Sequence, residues 1–149
     1  MTRRPRLAIN GFGRIGRAIT KLNMKYQKFD LALINDINPN CDNLVYLLNY
    51  DSTYGRLSQP VISSGNKMLF GENHATVTSV SDLQEISWDS LDIDVLIDSS
   101  GVSGNIAVAK HLTKRQAVRK AVVTHSSNDV DREIILGVNT DALRSDDAV

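Results

Sequence analysis

The sequence predicts an α/β chain built on a doubly wound, mostly parallel sheet, and three observations carry that prediction. Short, nearly continuous apolar runs recur at Leu7–Ile9, Leu31–Ile34, Val95–Ile97, Ala121–Val123 and Ile134–Leu136. Helical patterns fall between several of them, at Arg14–Lys25, about Asn43–Leu48 and about Ile106–His111. A glycine-rich stretch, Asn-Gly-Phe-Gly-Arg-Ile-Gly-Arg from Asn10 to Arg17, joins the first run to the first helical pattern. Continuous apolar runs are what strands covered on both faces look like. Their alternation with helices favours parallel pairing through right-handed crossovers.

The first strand, turn and helix carry the chemistry. Gly11, Gly13 and Gly16 fill the three positions of G-x-G-x-x-G. The first glycine permits a tight turn, the second lets a pyrophosphate approach the backbone, and the third lets the helix lie close to its strand. After the turn, Ile15, Ala18, Ile19, Leu22 and Tyr26 recur at the spacing of one apolar face of an amphipathic helix. Leu31–Ile34 makes the second strand, which runs into Asn35 and Asp36. Asp36 lies 20 residues past Gly16, the offset of an acid that accepts hydrogen bonds from a ribose diol. This order of elements predicts a Rossmann-type dinucleotide-binding unit, with phosphate at the open amides of the helix N-terminus.

Asp36 also selects the cofactor. A carboxylate bonded to a ribose diol contributes about 1.5–3 kcal/mol, and it repels a 2′-phosphate. No Lys or Arg follows Asp36 before Arg56, so NAD is expected rather than NADP.

The middle of the chain departs from the alternation. From about Val61 to Thr78, turns at Gly65-Asn66 and Gly71-Glu72-Asn73 separate short β-prone pieces, which predicts an inserted β-hairpin excursion. The whole of residues 1–149 is expected to form one domain. Lys+Arg and Asp+Glu number 17 each, so there is no electrostatic footprint for nucleic acid. The basic residues Lys110, Lys114, Arg115, Arg119 and Lys120 are expected to be a solvated helix face running into a strand. No apolar run approaches a membrane span. A single cysteine, Cys41, excludes an internal disulfide and fits a reducing, cytoplasmic setting.

Ligands of such sheets bind at the carboxyl ends of the strands. That rim is expected to hold Gly11–Arg17, Asn35 and Asp36, Asp98-Ser99-Ser100-Gly101, and Thr124-His125-Ser126. The polar residues there are either ligand contacts or caps of their own turns and helices. His74, His111 and His125 have no metal-ligand spacing, and Cys41 has no histidine nearby in sequence. These residues alone predict cofactor binding without catalysis.

The glycine stretch, Asn35-Asp36, Asn49-Tyr50-Asp51-Ser52-Thr53-Tyr54-Gly55, Ser99-Ser100-Gly101 and Gly137-Val138-Asn139, taken in order, make the chain resemble the phosphorylating glyceraldehyde-3-phosphate dehydrogenases. The resemblance runs over essentially all 149 residues. It implies an enzyme, usually a cytosolic homotetramer, that oxidises an aldehyde phosphate with NAD and inorganic phosphate through a thioester on a cysteine. That cysteine sits in a Ser-Cys-Thr-Thr-Asn motif just past the equivalent of Gly137-Val138-Asn139 and a short variable segment. The sequence stops at Val149, so the resemblance implies a cofactor domain without its nucleophile, a role Cys41 does not inherit.

By the same resemblance, Gly11, Phe12, Gly13, Arg14, Ile15 and Gly16 hold the pyrophosphate, chiefly through the backbone of Arg14 and Ile15. Asn35 and Asp36 take the adenosine end, Ser99, Ser100 and Gly101 lie along the cofactor, and Thr124 stands near the nicotinamide. Ser81 and Ser103 replace a basic and an aromatic residue that often hold the adenine, which implies looser adenine binding. Thr124–Asp129 is more similar to the related erythrose-4-phosphate dehydrogenases, which release product with water. A reading of another class remains beside these: a nucleotide-binding module without catalysis.

Overall fold

In a computed structural model, which describes residues 3–149, the chain begins with β1 (Arg6–Asn10), α1 (Arg14–Tyr26), β2 (Asp30–Asn35) and α2 (Cys41–Asn49). A two-stranded ribbon, β3 (Tyr50–Asp51) with β4 (Gly55–Arg56), follows α2. Then come β5 (Ile62–Ser64), β6 (Lys67–Phe70), β7 (Asn73–Thr78), β8 (Ile93–Asp98), α3 (Asn105–Lys114) and β9 (Val118–Val123). The main sheet has seven strands in the order β5-β6-β7-β2-β1-β8-β9. β7, β2, β1, β8 and β9 pair in parallel, whereas β5 and β6 add to β7 antiparallel. The expected α/β sheet and its hairpin excursion are both present.

Alternation along β1 explains the doubly covered core. Leu7 and Ile9 join one apolar cluster with Phe12, Ile34, Leu44, Leu48 and Met68. Ala8 joins the other, with Leu33, Trp88, Leu96, Ile106, Ala109, Leu112 and Val118. Each fully buried large apolar side chain contributes about 1.5–3 kcal/mol, and β1 carries no polar residue between Arg6 and Asn10. Cys41 opens α2 and is buried.

Two expectations need correction. The apolar stripe expected on α1 is largely turned outward: Ile15, Leu22 and Tyr26 are 49, 55 and 56% exposed. The buried face is the one with Gly16 and Thr20. Helix and strand approach so closely that a Cβ at Gly16 would lie 2.2 Å from the Gly11 carbonyl oxygen. Only small side chains fit on that face, and Thr20 disposes of its hydroxyl by donating to the Gly16 carbonyl oxygen at 2.9 Å.

The run Ile134–Leu136 is not a strand. Ile135 and Leu136 are exposed, and Asn139 folds the segment into a turn by accepting from the Ile135 N–H at 2.6 Å and donating to the Glu133 carbonyl at 2.9 Å. The open edge of β9 goes instead to the end of the described chain, where the Ala121 N–H donates to the Ala148 carbonyl at 2.8 Å. The Asp131 carboxylate fastens that end by accepting from the N–H groups of Ala148 and Val149 at 2.8 and 3.2 Å. Those two N–H groups, the Ala148 one foremost, hold the Asp131 carboxyl below its ordinary range.

Because the Asp131 pKa is depressed by folding, its contribution is present above the unfolded value of about 3.9 and lost as pH falls through the folded one. Protection of the Ala148 and Val149 amides, measured against their intrinsic exchange rates, should therefore fall selectively as pH drops below about 4. Asp131→Asn should show the lowered protection already at neutral pH.

Candidate functional site: the glycine turn before the first helix

The first turn of α1 presents donors without acceptors. Gly13 precedes it with no side-chain cap, and the first turn holds no acidic residue. The first helical bond comes only from the Arg17 N–H to the Gly13 carbonyl at 3.1 Å, and no described residue accepts from the N–H groups of Gly13, Arg14, Ile15 or Gly16. Open amides and the positive end of a helix dipole together favour an anion.

The three glycines are glycine for different reasons. Gly11 has φ +85°, and a Cβ there would lie 2.6 Å from the Ser100 backbone. Gly16 lies against the Gly11 carbonyl, as described above. Gly13 has nothing within 4 Å of the place its Cβ would take and lies exposed. No packing among the described residues demands a glycine at Gly13.

A buried polar floor supports the turn. Register sets Asn10 beside Asn35 on one side and Asp98 on the other. The Asn10 amide donates to Asp98 Oδ1 at 2.8 Å, and the Asn35 amide donates to Asn10 Oδ1 at 2.8 Å. Asn35 Oδ1 accepts from the Thr78 hydroxyl at 2.9 Å and from the Val80 N–H at 3.0 Å. Asp98 Oδ1 also accepts from the Ser100 N–H at 3.1 Å, while its Oδ2 is buried without a partner. Asn35 is thus placed for the floor by its side chain, and its carbonyl accepts from the Gly11 N–H at 2.8 Å.

Asp36 closes over the turn. Its Oδ2 accepts from the Phe12 N–H at 2.6 Å and its Oδ1 from the Asn38 N–H at 2.9 Å. A carboxylate has about four lone-pair sites, so both oxygens keep capacity for a diol. The Phe12 ring is 1% exposed in the core, which leaves only its main chain to face a ligand. Ser99 spends its hydroxyl on the Gly11 carbonyl at 2.7 Å. The Ser100 hydroxyl oxygen accepts from the Val102 N–H and the Asn105 amide at 3.2 and 3.0 Å, the capping role weighed for it in the sequence. Gly101 is exposed at φ +76°. Thr124 directly follows β9, with its N–H on the Asp98 carbonyl at 3.0 Å, and is exposed. Ser81 is exposed on the loop after β7.

Cys41 is no nucleophile: burial first, and the Asp42 charge second, push its thiol up from its ordinary value, and its Sγ donates to the Lys67 carbonyl at 3.7 Å. Among the described residues no cluster of three His, Cys, Asp or Glu could hold a metal. No helix among the described residues is long and apolar enough to cross a membrane.

Residues 5–106 match the family model described as glyceraldehyde 3-phosphate dehydrogenase, NAD binding domain. The chain belongs to that family. NAD is the cofactor of such a domain. The chain is similar to glyceraldehyde-3-phosphate dehydrogenase 1 of Kluyveromyces lactis, with 32% identity over 145 residues, which is 97% of this chain and 43% of that protein. It is similar to glyceraldehyde-3-phosphate dehydrogenase of Geobacillus stearothermophilus at 30% identity over 137 residues, covering 91% of this chain and 40% of that protein. A third relative, glyceraldehyde-3-phosphate dehydrogenase 1 of a Nostoc species, is 33% identical over 139 residues, again 91% and 40% of the two chains. The chain therefore spans about two fifths of the length of these relatives.

Sequence reading missed Asn10, Thr78 and Val80 as supports beneath the turn of this NAD-binding domain. Asn10 left a signal, being the polar residue that ends an otherwise apolar strand. Thr78 and Val80 act through folding partners that no local pattern discloses, and the rim position of Arg17 gave no sign of its partner Asp51. Gly16→Ala should lower the thermal midpoint markedly, because a methyl 2.2 Å from a carbonyl forces helix from strand. Gly13→Ala, with open space around it, should leave the midpoint and circular dichroism nearly unchanged.

Proposed function

We propose that the chain binds NAD with its diphosphate on the N–H groups of Arg14 and Ile15 and its adenosine ribose on Asp36. The observation that carries this reading is Gly13, a glycine that no packing among the described residues requires, set before uncapped helical amides. A ligand needing to touch bare backbone supplies the missing reason. Gly11, Phe12 and Gly16 shape the turn, and Asn35 and Ser99 hold it from below. Ser100, Gly101 and Thr124 lie along the outer path of the cofactor, and Ser81 stands at its adenine end, where a neutral side chain gives a loose hold.

The remainder of the proposal concerns the full-length protein. Residues 1–149 form its NAD-binding domain, and a second domain, outside the sequence given, brings the nucleophilic cysteine. The relatives named above support glyceraldehyde 3-phosphate as the aldehyde. NAD supplies the hydride acceptor. This chain's residues bind and orient it, and the thiol that attacks the aldehyde comes from elsewhere. A cytoplasmic homotetramer is the expected form, in keeping with a relative from Trypanosoma brucei brucei named as cytosolic. Erythrose 4-phosphate is the second reading, favoured by the stretch Thr124–Asp129.

Asp36→Ala should weaken NAD about tenfold or more and NADP far less, measured by calorimetry. Equal losses for the two would mean that the carboxylate serves only to hold the Phe12 N–H. Residues 1–149 alone should produce no NADH from glyceraldehyde 3-phosphate and phosphate; NADH production above background would overturn the assignment of the nucleophile to another domain.

A further inference from the structure

Arg17 and Asp36 bond the same residue of the turn, Phe12, at its carbonyl and its N–H respectively. The Arg17 Nη1 donates to the Phe12 carbonyl oxygen at 3.0 Å. The side chain is largely covered, 16% exposed, and its Nε is buried without a hydrogen-bond partner. What faces that Nε is the Asp51 carboxylate, 3.8 Å away and itself 6% exposed, on the β3–β4 ribbon. Lys21, one turn further along α1, stands 3.8 Å from the same carboxylate oxygen and donates to the Gly55 carbonyl at 3.1 Å. Asp51 cannot swing away, because its Oδ1 accepts from the N–H groups of Thr53 and Tyr54 at 2.8 and 2.9 Å.

A burial of this kind is costly for a guanidinium, and a carbonyl alone does not repay it. Its geometric consequence is specific. A trans peptide unit is planar, so its C=O and its N–H point in opposite directions, and no peptide bond here is cis. The Phe12 carbonyl and the Gly13 N–H belong to one such unit. Held at the carbonyl by Arg17, and one unit earlier at the Phe12 N–H by Asp36, the turn has little freedom to rotate. The Gly13 amide is thereby aimed away from Arg17.

We propose that Arg17 is a positioning residue for the cofactor diphosphate: anchored by Asp51, it grips the Phe12 carbonyl and so fixes the direction of the Gly13 N–H and the amides that follow it. The β3–β4 ribbon is by this route mechanically joined to the phosphate site. The inference rests on the diphosphate reading given above, and the test separates the two.

In the full-length protein carrying this domain, Arg17→Met and Arg17→Lys are compared with Gly13→Ala by calorimetry. The ligands are NAD and adenosine, which lacks the diphosphate. Arg17→Met should weaken NAD about tenfold or more, leave adenosine unchanged and keep the circular dichroism spectrum. Arg17→Lys, which can still donate to the carbonyl, should recover part of the loss. If Gly13→Ala abolishes NAD binding while Arg17→Met leaves it intact, or weakens NAD and adenosine equally, the positioning role is wrong and the diphosphate reading survives. If Gly13→Ala leaves NAD binding unchanged, the diphosphate reading falls and this inference with it.

Discussion

Contact between bare main chain and bare main chain, where α1 crosses the end of β1, is the constraint on which the rest of the molecule depends. Gly16 lies so near the Gly11 carbonyl that no side chain fits between them, and a Cβ on Gly11 would lie 2.6 Å from the backbone of Ser100. The start of α1, the end of β1 and the loop after β8 thus meet without side chains. Helix α1 must then sit low on the sheet and begin right at its rim, with its first amides facing outward. The same closeness turns its bulkier apolar residues, Ile15, Leu22 and Tyr26, to the outside.

A polar layer secures this arrangement at the point where the apolar core ends. Asn10, Asn35 and Asp98 close three parallel strands side by side, and their hydrogen bonds run across the sheet, reaching Thr78 at the end of a fourth strand. Buried polar groups specify one register because any slip leaves donors and acceptors unpaired, at about 1–3 kcal/mol each. The floor therefore does for strand alignment what the glycines do for the helix. Above it, Asp36 and Arg17 hold the N–H and the carbonyl of Phe12 from two sides. The turn is thus tied by main-chain groups while the ring of Phe12 is sunk in the core.

Much of this was legible in the sequence because it is written in local patterns. Continuous apolar runs gave β1, β2, β8 and β9, and G-x-G-x-x-G gave the turn between β1 and α1. The turns at Gly65 and Gly71 gave the hairpin excursion. The failures have physical causes of one kind, in that long-range packing overrode a local pattern. The periodic residues of α1 mark an apolar face, but closeness to the sheet selected the smaller residues on the other side. The run at Ile134–Leu136 has strand composition, but the edge of β9 is occupied by Ala148. Asp51 reads as part of a loop motif, and only the fold brings it against Arg17 and Lys21.

A crystal structure of the protein with NAD bound tests the central claim most directly. The account predicts the diphosphate within hydrogen-bonding distance of the Arg14 and Ile15 N–H groups, against Gly13, with Asp36 on the adenosine ribose. A diphosphate bound elsewhere, with those amides left to solvent, would contradict it.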